Sequence, residues 1–121
     1  MSNLTPGALF VAYVSLDPEG CPPVQVEPPE IEVKGATTIV WQLAAKSRIQ
    51  DFRFFKGSLN FTDNAGLISK NEQSTRCSVY DTNAVVDKDG AYTLIVERQG
   101  KYYSTGSARQ LGTRAPCIRN K

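Results

Sequence analysis

The chain has 121 residues, of which 40% are hydrophobic and 21% charged, with a net charge of +2. That composition suits one globular domain spanning residues 1–121, and it excludes the low-hydrophobicity, high-charge profile of disorder. Histidine is absent, which removes Ser-His-Asp and Cys-His nucleophiles, blue-copper centres, and His-containing zinc and non-haem iron sites.

The opening "MSNLTPGALFVAYVSL" has no charged leader, and its apolar run from Ala8 to Val14 is too short to span a bilayer, so Leu9 to Leu16 reads as a first strand. Asp17-Pro18-Glu19-Gly20 then has the residues of a type I turn: a side-chain acceptor, a fixed φ, and a closing glycine. In "VQVEPPEIEV" the apolar positions are Val24 and Val26 before the proline pair and Ile31 and Val33 after it. Side chains alternate along a strand, so this change of parity predicts a bulge or a crossing between two sheets at Pro28-Pro29.

"TTIVWQLAA" sets Thr37, Ile39, Trp41 and Leu43 on one face of a core strand that carries the only tryptophan. In "FRFF" Phe52 and Phe54 share a parity, and in "SLNF" Leu59 and Phe61 do, with Gly57 as the bend between them. "STRCSVYD" predicts a further strand with Cys77 and Val79 on one side. "GAYTLIVERQGKYYSTG" predicts a hairpin turning near Gln99-Gly100, and "APCIRNK" adds a short last strand. "QLAAKSRIQDFR" is the best helical stretch and is flanked by β-favouring sequence on both sides. Seven to eight short strands between turn signals predict an all-β fold, an immunoglobulin-like antiparallel β-sandwich.

Lys88-Asp89-Gly90-Ala91-Tyr92 resembles the tyrosine corner of immunoglobulin-like domains, in which a Tyr hydroxyl ties a loop to upstream backbone. Leu94 stands where the second disulfide cysteine of such domains would be, so the resemblance is to their architecture. The order of a first apolar strand, Asp17-Pro18, a Val-rich strand, Glu27-Pro28, a strand with Trp41 and Leu43, and late Gly90-Ala91-Tyr92 resembles the DP-EP family of small bacterial domains. That resemblance implies a compact β-sandwich of immunoglobulin-like or cupredoxin-like architecture and of uncharacterised function. It implies no catalytic residues.

Three cysteines, Cys21, Cys77 and Cys117, cannot all pair within one chain, so reduced thiols and a cytoplasmic setting are expected. Cys77 and Cys117 read as small buried hydrophobes and Cys21 as the exposed thiol. Residues 1–33 carry five acids and no base, whereas residues 90–121 carry six bases against Glu97 alone. The bland reading of that gradient places the two ends side by side in the fold.

Asp81, Asn83, Asp87 and Asp89 offer oxygen ligands on one loop, but Val85 breaks the EF-hand spacing and no closing glutamate follows, so no metal or other cofactor is expected. Glu27, Glu30 and Glu32 read as a solvated edge and not as a pair of glycosidic carboxylates. Aromatic and basic residues meet in "RFFK" and "RQGKYY", and since neighbouring strand residues face opposite ways, one of Phe54 and Phe55, and one of Tyr102 and Tyr103, is left facing outward. A subunit or protein interface explains such spare aromatics more often than nucleic acid does. The sequence therefore points to a non-catalytic protein-interaction or self-association module without membrane contact. Phe55, Tyr102 and Tyr103 are its expected contacts and Arg98 and Arg109 its rim. A small-ligand or carbohydrate-binding sandwich is the alternative.

Overall fold

A computed structural model describes residues 8–61, 67–83, 89–106 and 115–121. These form ten strands and no helix: β1 Ala8–Leu16, β2 Val24–Glu27, β3 Glu30–Val33, β4 Thr37–Leu43, β5 Leu59–Phe61, β6 Leu67–Glu72, β7 Arg76–Asp81, β8 Asp89–Arg98, β9 Lys101–Ser104 and β10 Cys117–Asn120. One sheet has the order β2-β1-β4-β7-β6 and the other β3-β10-β8-β5, with β9 also pairing β8. The fold is an all-β sandwich. It has more strands than the seven to eight expected, and β1 with β4 and β3 with β10 run parallel where a wholly antiparallel sandwich was expected. Alternation along a strand reports which face is buried but not the direction of its neighbour, which is why periodicity missed the parallel pairs.

The parity change at the proline pair is a crossing between sheets. Val24 and Val26 on β2 and Ile31 and Val33 on β3 are all buried, yet β2 is an edge of the first sheet and β3 an edge of the second. The Glu27–Pro28 and Cys21–Pro22 peptide bonds are cis. The preceding turn forms as its residues predict, with Gly20 N–H donating to Asp17 O at 2.8 Å and Glu19 N–H to Asp17 Oδ1 at 3.1 Å. The acidic and basic ends of the chain do meet: β3 lies along β10, and Arg119 Nε is 3.3 Å from Glu30 Oε2.

The opposite flank is closed by side chains. Glu72 Oε2 accepts the Leu59 N–H at 2.8 Å, and Lys70 Nζ donates to Leu59 O at 2.9 Å, so β6 of the first sheet is tied to β5 of the second. A bulge between Ile68 and Asn71 makes this possible, because one extra residue on β6 turns Glu72 toward β5, with Ser69 at φ 58°.

Between the sheets lie Trp41, Tyr92, Phe54, Ile39, Leu94 and their neighbours, nearly all fully buried. Among the described residues the Tyr92 hydroxyl makes no tyrosine-corner bond to upstream backbone; the donor to it is Trp41 Nε1–H in the opposite sheet, at 3.0 Å. The two rings meet edge to face at 5.3 Å, and Phe61 completes the aromatic cluster at 5.6 Å from Tyr92. A buried indole N–H needs an acceptor, and the phenol supplies it where backbone carbonyls are committed to the sheets.

Candidate functional site

Two of the sequence-predicted contacts, Phe55 and Tyr102, meet at the end of the second sheet. Gln99 (φ 53°) and Gly100 (φ 78°) both adopt the left-handed conformation, forming the two-residue turn whose twist matches a hairpin, and they join β8 to β9. Glu97 Oε2 accepts the Gly100 N–H at 2.9 Å, which fixes the turn from below. On the other side of β8, Arg53 exchanges two backbone hydrogen bonds with Glu97, at 3.0 and 2.9 Å. The segment around it is anchored by Phe52 and Phe54, which are buried, and by a turn in which Ser58 Oγ accepts the Phe55 N–H at 2.7 Å.

This register puts Arg53, Glu97 and Tyr102 in one row across the outer face, with Phe55 beside them. Tyr102 is 67% exposed, and its ring meets that of Phe55 edge to face at 5.4 Å. Arg53 donates a short hydrogen bond to Glu97 Oε1, and Arg98 Nε donates to Asp51 Oδ1 at 2.9 Å. A cleft of about 290 Å³ runs between these pairs, bounded by Asp51, Phe52, Arg53, Glu97, Arg98 and Gln99. The Gly100 N–H, and after it Arg53, hold the Glu97 carboxyl below its ordinary range, and the Arg98 hydrogen bond does the same for Asp51. Carboxylates shifted this way are poor proton donors at neutral pH, and each positive charge in the cleft is balanced by a partner.

Of the five expected residues, Phe55 and Tyr102 come together, while Arg98 follows Glu97 at the end of β8 and is paired with Asp51 in the cleft. Tyr103 does not join them: it sits opposite Val96 on the inward face of β9, half-buried against the core. Arg109 lies outside the described residues. Sequence reasoning missed Arg53, Glu97 and Asp51, although alternation in "DFRFF" puts Arg53 on the same side as Phe55.

No family model matches the chain, and no curated protein does either.

The other chemical groups stand apart from this face. Asp81 is fully buried, with Oδ1 accepting the Asn83 N–H at 2.8 Å and Oδ2 without a hydrogen-bond partner, and burial pushes its carboxyl above the usual range. Asp87 of the same loop lies outside the described residues, and among those described no group of three or more Cys, Asp or Glu side chains is placed to hold a metal ion. Of the three cysteines, Cys21 is exposed, Cys117 half-buried, and Cys77 buried, its thiol pushed up to about 12 chiefly by loss of solvent. A thiol so shifted is inert as a nucleophile. No helix of the described residues is long and apolar enough to cross a membrane.

Proposed function

We propose that the chain is a non-catalytic protein-interaction or self-association module, a bacterial β-sandwich of the DP-EP kind, working in the cytoplasm. Its contact face is the outer surface of the β8–β9 hairpin around Phe55 and Tyr102, with Arg98 at the rim. The observation that carries this reading is Tyr102, which is 67% exposed and yet held in a defined orientation against Phe55. An aromatic anchor that is ordered before binding loses little side-chain entropy when a partner covers it, which is how such residues come to dominate interfaces. The surrounding ion pairs supply a polar rim of no net charge, suited to a protein surface more than to a phosphate backbone.

Native mass spectrometry of protein purified gently from its own cells, under reducing conditions, tests the proposal. The expected spectrum shows a multiple of the chain mass or an added protein, and Tyr102→Ser reduces that species to the bare chain. A wild-type chain that is strictly monomeric and carries no protein partner would refute it.

A further inference from the structure

The outer face of the first sheet carries a second groove, remote from the hairpin. It has a volume of about 240 Å³ and is lined by Thr38, Val40, Asn71, Gln73, Arg76 and Ser78. The β6 bulge builds it. The extra residue brings Asn71 opposite Ser78 and so adds a carboxamide to a row that already holds Val40 and Ser78. Arg76, Ser78 and Tyr80 alternate with the buried Cys77, Val79 and Asp81, so all three point outward, and Tyr80 stands opposite Thr38 at the groove's border.

Among the described residues, the five polar side chains of this groove make no hydrogen bond or ion pair. They differ in this from the cleft at the hairpin, where both arginines and both carboxylates are committed. Two carboxamides, two hydroxyls and a guanidinium offer donors and acceptors in close alternation around the methyl groups of Val40. The lining includes a single cation and no carboxylate, which is too little charge for a nucleic-acid track. It has one small apolar side chain, which is too little for a protein hot spot. A sugar ring has the complementary surface, since its hydroxyls both donate and accept and its C–H face packs on an aliphatic floor.

We infer that this groove binds a neutral saccharide, one ring at a time, independently of the hairpin face. The test is an amide chemical-shift titration of the whole protein with glucose, mannose, galactose, N-acetylglucosamine and the tetrasaccharide of each. The expected result is saturable shifts confined to residues 38–40, 71–73 and 76–78 with one of these sugars. Gln73→Ala and Arg76→Ala, both at exposed positions, should each weaken that binding about tenfold while leaving the rest of the spectrum in place. Tyr102→Ser should leave it unchanged. Absence of shifts with every sugar overturns the inference, as do shifts centred on Tyr102 or equal shifts with inorganic phosphate or oligothymidylate.

Discussion

Replacing Tyr92 by Phe removes one oxygen from the centre of the molecule and nothing else. The ring, its edge contact with Trp41 at 5.3 Å and its packing against Phe61 are all retained. What is lost is the acceptor for Trp41 Nε1–H, a 3.0 Å bond in a place where neither side chain is exposed. A buried donor left without a partner costs about 1–3 kcal/mol, so about 2 kcal/mol is the expected loss. At a urea slope near 1.5 kcal/mol/M this moves the unfolding midpoint down by about 1.3 M, with the slope itself unchanged. The assay is built in, because Trp41 is the only tryptophan and its emission reports the transition. Alkaline pH gives a second reading. Burial pushes the Tyr92 phenol well above its ordinary range, so from about pH 10 upward the unfolded chain releases this proton while the folded chain keeps it, and stability falls. That part of the alkaline loss is absent in Tyr92→Phe. A midpoint within about 0.3 M of the wild type would show that the indole does not depend on the phenol, and would refute the account of the core.

Glu72→Ala should leave the Leu59 N–H without its acceptor and cost about 1–3 kcal/mol in thermal or urea unfolding, whereas Glu72→Gln keeps an acceptor and costs less. For Asp81, whose folded carboxyl titrates above the unfolded value of 3.8, the unfolded chain ionises first as pH rises; wild-type stability should therefore decline from about pH 4 upward. Asp81→Asn should flatten that decline in urea midpoints compared at acidic and neutral pH, and an unchanged slope would exclude Asp81 as its source. Substituting Thr for both Pro28 and Pro29 gives backbone N–H groups to two adjacent sheet edges, and light scattering should show more aggregation than in the wild type. Equal scattering would refute edge protection.

Much of the fold was legible because burial in a sandwich alternates with period two. The inward sets Val24 and Val26, Ile31 and Val33, and Tyr92, Leu94 and Val96 all follow from spacing, as does the change of parity at the prolines, which left a bulge or a sheet crossing open until the strand order decided for the crossing. β6 was not legible: "LISKNE" has a bulge at its centre, and a bulge breaks the alternation that marks a strand. The hairpin was readable from Gln99-Gly100, and so was the presence of an outward aromatic in each pair. Which of Tyr102 and Tyr103 faces outward also follows from the two-residue turn, which sets Tyr103 opposite the inward Val96 and Tyr102 opposite Glu97. The balancing partners of Arg53 and Arg98 were hidden because each lies more than forty residues away, in a pairing that local sequence does not encode.

The parallel pairings also decide where the chain can be held. Ala8 N–H donates to Ala36 O and Lys121 N–H to Val33 O, so the first described residue and the last are pinned to the same short link between β3 and β4. Arg119 lies opposite Asp89 at the start of β8, while the Gln99-Gly100 turn follows its other end, about 30 Å away along a ten-residue strand. A tag, a surface linkage or a fused neighbour attached through Lys121 would thus extend from one pole and leave Phe55 and Tyr102 presented at the other.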